Sequence, residues 1–94
     1  MRDERFEWHD LKAQTNVQDH GVTFAEATRA FDDPNAVDEI DESMDYGEER
    51  SVLIGMADNE LFVVVYTMRD ERIRIISARK PERHEQDRYY REER

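Results

Sequence analysis

Apolar residues in the second half of the chain recur with the two-residue period of half-buried strands, or run together as in a fully buried strand. Arg50–Met56 and Arg72–Arg79 are predicted strands that flank Glu60–Met68, whose run of three valines indicates burial on both faces. Asp58-Asn59 and Asp70-Glu71 separate these strands by two residues of the type found in tight hairpin turns. The pattern predicts an antiparallel meander with helices on one face of the sheet and another element on the other.

The first half of the chain is predicted to form one short strand followed by two helices. Phe6-Glu-Trp8 alternates apolar and polar positions, as a strand does. Asp10 is the predicted N-cap of a helix that runs to about His20, and Gly21 supplies the left-handed residue that ends it. A second helix opens with the capping box Thr23-Phe-Ala-Glu26 and ends where the sequence reaches a proline.

Two further elements complete the predicted fold. Residues 32–49 hold nine acids and no base, which favours a loop with at most a weak edge strand at Ala36–Ile40. Pro81 suits the first turn of a closing helix from Glu82 to about Arg91. The expected fold class is α+β, a small antiparallel sheet with two N-terminal helices and a C-terminal helix. Residues 1–94 are expected to form a single domain.

Composition restricts the class of protein. The chain has no cysteine, which excludes disulfides and thiolate metal sites. No apolar run approaches the roughly 20 residues that span a membrane, and the charged start does not resemble a signal peptide, so a soluble cytoplasmic protein is expected. His9, His20 and His84 lack metal-ligand spacing with one another or with a suitable acid, and the acidic run lacks the pattern of a calcium-binding loop.

Charge is distributed unevenly along the chain. The formal net charge is −10, yet residues 61–94 hold nine Arg and Lys against seven Asp and Glu. Six of these cations lie in the fifteen residues from Arg69 to Arg83. Cations on a rigid strand are suited to bind phosphate. The alternative is an edge strand whose arginines prevent association between sheets.

The overall acidity is unusual for a protein that binds nucleic acid, because counterion release favours basic surfaces. One hypothesis is adaptation to a high-salt cytoplasm, as in a halophile, where salt would screen the repulsion of RNA by the acidic surface and only the local cations would matter. The other is that the acidic segment 32–49 faces away from the cation cluster, toward a basic segment of a partner.

The phase of the last strand decides how its arginines are arranged. Arg72 and Arg74 share one face, but the pair Ile75-Ile76 disturbs the alternation that follows. A β-bulge there would place Arg79 on the face of Arg74, whereas a regular strand would place it on the opposite face. The sequence leaves both arrangements open.

A series of motifs keeps one order over nearly the whole chain. The motifs are Phe6-Glu-Trp8, Lys12, Asn16, His20-Gly-Val22, Phe24, Glu26-Ala27, Phe31-Asp-Asp-Pro34, Glu49-Arg50, Ile54-Gly55, Val64-Val-Tyr66 and Arg74-Ile-Ile-Ser-Ala-Arg79-Lys80. Together they resemble the BrnT family of toxins. The resemblance implies a RelE-like fold and a ribonuclease that needs no metal or cofactor and arrests growth. It also implies a hetero-oligomer with a BrnA-like antitoxin, through which alone the protein would contact DNA.

The cation cluster suggests roles for such a ribonuclease. RNA carries its own nucleophile, the 2′-hydroxyl, so the enzyme must bind the phosphate, accept a proton and protonate the leaving oxygen. Arg74 and Arg79, or Arg69 if it folds back, are expected to converge on the phosphate. Glu71, in the turn between two strands, is the expected proton acceptor, because a carboxylate among arginines stays ionised.

Other residues have less defined roles. Lys80 is expected to hold the substrate or protonate the leaving group, and Arg83 and Tyr66 are secondary substrate-binding candidates. His20 is a further catalytic candidate, with contact to the last helix carbonyls as the alternative. The alternative to an enzyme is a catalytically inactive module that acts as a co-repressor subunit with a DNA-binding antitoxin. An acidic decoy of nucleic acid is a third reading, against which the cation cluster argues.

Overall fold

The computed structural model describes residues 1–41 and 48–92, so part of the predicted acidic loop lies outside the described residues. The elements are β1 (Phe6–Glu7), α1 (Asp10–His20), α2 (Phe24–Ala30), β2 (Val37–Asp41), β3 (Arg50–Ala57), β4 (Glu60–Arg69), β5 (Arg72–Arg79) and α3 (Arg83–Glu92). The five strands form one sheet in the order β1-β5-β4-β3-β2, antiparallel from β2 to β5. This confirms the predicted α+β class. None of the helices in the described part of the chain is long and apolar enough to cross a membrane.

Both predicted hairpin turns are confirmed. Asp58 and Asn59 have φ angles of 52° and 66°, and Asp70 and Glu71 have φ angles of 52° and 64°. Two consecutive left-handed residues are the mark of a type I′ turn, whose twist matches that of the strands it joins. Asp and Asn tolerate this conformation better than most residues.

The three predicted helices are present with boundaries that differ by about one residue, since α2 ends at Ala30 and α3 begins at Arg83. His9, not Asp10, is the N-cap of α1, and it makes no side-chain capping bond; Asp10 instead forms an ion pair of 3.0 Å with the N-terminal ammonium group. Gly21 ends α1 at a φ of 69°, as predicted. The capping box is present in full, since Thr23 accepts from the N–H of Glu26 and the Glu26 carboxylate accepts from the N–H of Thr23.

The sheet carries helices on both faces. Helices α1 and α2 cover one face, where the largest buried side chains are Phe24, Phe62, Ile75 and Val22. On the other face Tyr89 of α3 packs with Leu61, Val63 and Ile54, and its hydroxyl donates to Asp33 at 2.6 Å. Val63 and Val64 are each 0% exposed, which confirms the predicted burial of β4 on both faces.

Strand β5 is not an edge strand over its whole length, contrary to one of the two interpretations of its arginines. β1 runs parallel to it and pairs Phe6 with Ile73 and Glu7 with Arg74. Farther along, the side chain of Asn16 occupies the edge by bonding the backbone of Ala78. The predicted weak strand near the acidic segment is present one residue later, as β2, and it forms the opposite edge of the sheet.

Candidate functional site

A β-bulge in β5 sets the direction of its arginines. The register between β4 and β5 shifts between Val65 and Tyr66, which pair with Ser77 and Ile75, and Ile76 is left without a partner. The bulged arrangement is therefore the correct one of the two that the sequence left open.

The bulge brings Arg74 and Arg79 to one face of the sheet. Ile75 and Ala78, on either side of the bulge, both lie in the core beneath α1 and α2. The intervening extra residue restores the phase, so Arg74 and Arg79 both point to the face that carries α3. They are separated by about four strand steps, or roughly 13 Å at about 3.3 Å per residue. The two residues form an extended surface and do not converge on one phosphate as expected.

Two more arginines lie on the same face. Arg69 is the cross-strand partner of Arg72, and direct partners project to the same side of a sheet. Arg72 in turn shares its side with Arg74, two residues on. We refer to the surface formed by Arg69, Arg72, Arg74 and Arg79 as the arginine face.

Arg79 is held by the first helical turn of α3. Its Nη1 and Nη2 donate to the two oxygens of Glu85 at 2.7 and 2.8 Å, and Nη1 also reaches the Lys80 carbonyl at 3.2 Å. The side chain of Glu85 is only 12% exposed. The bond from Arg79 lowers the pKa of Glu85, so this carboxylate is ionised at neutral pH.

The other three arginines are anchored by the N-terminal segment and the start of the β3 hairpin. Nη1 of Arg74 donates to Glu7 at 2.6 Å, and Nη2 of Arg69 lies 3.2 Å from a Glu48 oxygen. Nε of Arg72 donates to the backbone carbonyl of Asp3 at 2.7 Å. Each guanidinium thus has a partner from another part of the fold.

A cleft of about 530 Å³ opens beside Arg79 on this face of the sheet. Its lining joins the apolar side chains of Val52 and Val65 to the ion pair of Arg79 and Glu85, and β2 contributes Glu39 on the far side. The cleft is large enough to take a small polar group, since ligand pockets are typically about 300–1,000 Å³. It makes the end of the arginine face next to α3 concave.

The remaining predicted site residues on β5 and its turn lie away from these ion pairs. Glu71 is exposed in the turn beyond the last paired residues, Arg69 and Arg72. Lys80 follows Arg79 and turns to the other side of the sheet, where it pairs with Glu60 at 2.8 Å and lies 4.9 Å from the ring centroid of Phe62. The structure does not group Lys80 with the arginine face.

Tyr66 and His20 also lie off the arginine face, and Arg83 forms its ion pair within α3. Tyr66 packs in the core beneath α2, and burial together with its hydrogen bonds to Asp38 raises the pKa of Tyr66 to about 12. Arg83 begins α3, is 88% exposed and pairs with Asp87 one turn later. His20 lines a different cleft, of about 400 Å³, between α1 and the bulged edge of β5.

The start of α3 corrects one sequence expectation about histidine. Ligand atoms of Glu82, His84 and Glu85 all lie within 4.8 Å of one another, because the first helical turn brings the three together. His84 therefore does have acids at metal-ligand distance. Both oxygens of Glu85 are already bonded to Arg79, so the cluster is explained by its role in the ion pair.

Sequence reasoning missed the two carboxylates that hold the arginine face, Glu7 and Glu85. The strand pattern already placed Glu7 on the side opposite Phe6, but the parallel pairing of β1 with β5 joins residues 67 positions apart and has no local signature. Glu85 had a local signal, since it lies three residues after Glu82, where a carboxylate can accept the Glu82 N–H.

Comparison with known families identifies the family of this chain. A family model described as the ribonuclease toxin BrnT of a type II toxin–antitoxin system matches residues 8–85, which is most of the chain. No curated protein matches the chain. The matched range includes α1, α2 and every strand from β2 to β5, and it ends at Glu85. The match confirms the resemblance drawn from the sequence motifs.

Proposed function

The chain belongs to the BrnT family of ribonuclease toxins of type II toxin–antitoxin systems, and we propose that it is an endoribonuclease that needs no metal ion and acts through the arginine face. The observation that carries this proposal is the bulge at Ile76. Without it, Arg74 and Arg79 would project from opposite sides of β5. With it, an RNA strand lying along β5 can meet both side chains.

The proposed reaction uses the RNA's own 2′-hydroxyl as the nucleophile. Attack on the adjacent phosphate forms a 2′,3′-cyclic phosphate and releases a 5′-hydroxyl. Charge builds on the phosphate oxygens in the transition state, and guanidinium groups fixed in advance stabilise it; the loss of one such donor typically costs about 10²–10³ in rate. Arg74 and its neighbours Arg69 and Arg72 would bind the scissile phosphate, and Arg79 a neighbouring nucleotide.

The ion pairs leave the guanidinium groups able to bind phosphate. A guanidinium has five N–H groups. Contacts with the described residues use three N–H groups of Arg79 and one of Arg74. Phosphate oxygens can therefore bind the remaining N–H groups while Glu85 and Glu7 keep the side chains in place. This arrangement supports a rigid, preorganised site.

The roles predicted for the other site residues remain proposals. Glu71 is the proton acceptor expected from the sequence, and it would act from the exposed turn. Lys80, Tyr66 and His20 lie off the arginine face and Arg83 pairs with Asp87 on α3, so cleavage as proposed does not depend on these four residues.

Membership of a type II family implies a protein antitoxin as partner. We propose that this partner is a BrnA-like, DNA-binding protein that forms a hetero-oligomer with the chain. The expectation that segment 32–49 faces away from the cation cluster is wrong, because Glu48 contacts Arg69 and Glu39 lines the cleft beside Arg79. The acidity of this segment, which includes the edge strand β2, still supports a contact with a basic part of that partner. Contact with DNA would then be made by the antitoxin alone.

The experiment is cleavage of RNA by the purified protein, free of antitoxin and in the presence of EDTA. The proposal predicts cleavage, products with 2′,3′-cyclic phosphate and 5′-hydroxyl ends, and no cleavage at positions that carry 2′-deoxyribose. Cleavage that occurs only after a divalent metal ion is added would contradict the proposal. The co-repressor alternative would be established by two results together: the protein leaves RNA intact, and it still increases the affinity of its antitoxin for the operator DNA.

A further inference from the structure

Glu7, like Glu85, is an enclosed carboxylate beside the arginine face, with a side chain that is 11% exposed. The residue is 8% exposed although it lies in a strand of only two residues. Its Oε2 accepts from Nη1 of Arg74 at 2.6 Å, and its backbone forms an isolated antiparallel bridge with Arg2. Charged partners stabilise a carboxylate that has so little exposed surface.

Three arginines from three parts of the chain supply those partners. Arg74 from β5 bonds Glu7 directly, while Arg69 from β4 and Arg2 from the N-terminal segment lie close enough to act on its charge. The hydrogen bond from Arg74 and, to a smaller extent, these charges lower the pKa of Glu7, so it is ionised at neutral pH. Such a cluster of arginines can also bind a second anion, the phosphate, beside the Glu7 carboxylate.

We propose that Glu7 is the proton acceptor of the RNA-cleaving reaction, taking the proton of the 2′-hydroxyl while Arg74 binds the scissile phosphate. This inference rests on the proposed ribonuclease function and assigns its missing base. It moves the role expected of Glu71 to a residue that lies on the arginine face.

The proposed step balances as a proton transfer and an exchange of phosphate esters. The 2′-oxygen loses its proton to a Glu7 oxygen and forms a bond to phosphorus, while the bond from phosphorus to the 5′-oxygen breaks. The 5′-oxygen takes a proton from water, and protonated Glu7 returns its own proton to the hydroxide so formed. No oxidant, metal or cofactor enters the balance.

Two features make Glu7 suitable for accepting a proton. Among the described residues only Oε2 of Glu7 has a hydrogen-bond donor, so Oε1 remains available to a substrate hydroxyl. When a phosphate binds Arg74, its negative charge offsets that of the guanidinium, which removes part of the effect that lowers the pKa of Glu7. A base works best when its pKa is close to the working pH, so binding of the substrate itself improves the acceptor.

The other carboxylates of the face are less suited to this step. Glu85 uses both oxygens on Arg79, and Oε1 also accepts the N–H of Glu82. Glu71 is exposed in a turn, where no hydrogen bond to the described residues orients it. Of the three carboxylates, only that of Glu7 is held by a hydrogen bond and also keeps one oxygen to which no described residue donates.

The test compares Glu7→Gln with the wild-type protein on a short fluorogenic RNA, and adds Glu71→Gln as the rival variant. Glu4→Gln is the matched control, because Glu4 is an exposed carboxylate in the same segment. Three quantities are measured for each protein: kcat, the pH dependence of kcat/KM, and the Kd for the same RNA with 2′-O-methyl groups, which cannot react. A far-ultraviolet circular dichroism spectrum and a thermal melt verify the fold, and Glu7→Asp is used in addition because it keeps the carboxylate.

The proposal predicts that Glu7→Gln lowers kcat by about 10²–10⁴-fold, the usual range for loss of a general base, and changes the Kd of the unreactive RNA less than about threefold. The acid limb of the wild-type pH profile should disappear, and Glu7→Asp should recover part of kcat. A parallel loss of RNA binding and rate would overturn the proposal and make Glu7 a positioning residue for Arg74. Full activity of Glu7→Gln would also overturn it, yet would leave the ribonuclease function standing. A wild-type protein that cleaves no RNA would refute both.

Discussion

The side-chain amide of Asn16 takes the place of a neighbouring strand at Ala78. Its Nδ2 donates to the Ala78 carbonyl at 2.7 Å, and its Oδ1 accepts the Ala78 N–H at 3.1 Å. Nδ2 also donates to the Val22 carbonyl at 2.9 Å, so one buried amide joins α1, the loop after it and β5. This contact closes the edge of β5 directly after the bulge, where β1 no longer covers it, and so helps to fix the direction of Arg79.

Replacement of Asn16 by alanine should therefore destabilise the fold. The change leaves two carbonyls and one N–H of the backbone buried without partners, each of which costs about 1–3 kcal/mol. Since waters can satisfy part of this loss, we expect the free energy of unfolding to fall by about 2–4 kcal/mol. Urea denaturation measures it. Gln18→Ala, at an exposed position of the same helix, should change it by less than about 0.5 kcal/mol; equal effects of the two substitutions would count against the bridging role of Asn16.

Gly55 allows α2 to lie close against β3. A Cβ atom at this position would come within 2.6 Å of the Ala30 carbonyl oxygen, a backbone atom that cannot move aside easily. Gly55→Ala should cost about 1–3 kcal/mol, as overpacking of a core does. At Gly21 a Cβ would meet no atom within 4 Å, although φ is 69°, so Gly21→Ala should cost only about 1 kcal/mol. Thermal melts of the two variants would refute this reasoning if Gly21→Ala were the more damaging change.

Acid should destabilise the protein through the carboxylates that hold the arginine face. Arg79 lowers the pKa of Glu85 from its ordinary value of 4.5, and Arg74 does the same for Glu7. The folded protein then binds fewer protons than the unfolded chain, so this stabilisation is complete above about pH 4.5 and is lost as the pH falls through the folded-state pKa values. Urea midpoints between pH 7 and pH 3 should fall less steeply for Glu85→Gln than for wild type. An unchanged slope would show that the ion pair contributes nothing to the pH dependence.

High salt should stabilise this acidic chain. A net charge of −10 on 94 residues produces self-repulsion in the folded state, and the Debye length shrinks to about 3 Å at 1 M salt. The melting temperature should rise between 0.05 and about 1 M KCl, and cleavage of RNA should persist because the arginine contacts are local. A melting temperature that falls with KCl would end the hypothesis of adaptation to high salt, and leave the acidic segment to be explained by the antitoxin.

Local chemistry made much of the fold predictable. The turn at Asp58-Asn59 and the capping box at Thr23 each depend on a few neighbouring residues, and both were correct. The N-cap at Asp10 was wrong by one residue, since His9 is the N-cap and Asp10 pairs with the N-terminal ammonium group. That partner comes from nine residues away and is not visible in the local pattern.

The site was predictable only in part, because its geometry depends on pairing across the sheet. The sequence identified Arg74 and Arg79, but the side of β5 on which Arg79 lies was set by the register with β4. The pairing of Glu7 with Arg74 needs a parallel contact between the two ends of the chain. Composition counts charges, and it does not reveal which carboxylate from a distant element will meet each arginine.

If RNA is cleaved on the face of β5 that Arg74 and Arg79 share, as proposed, the rate of single-turnover cleavage must depend on both arginines. Arg74→Gln should lower the rate about 100-fold or more and Arg79→Gln about tenfold or more, with circular dichroism spectra unchanged. Arg29→Gln, on α2 across the sheet, should cleave RNA at the wild-type rate. Wild-type rates in both the Arg74 and Arg79 variants, from proteins that remain folded, would contradict the account.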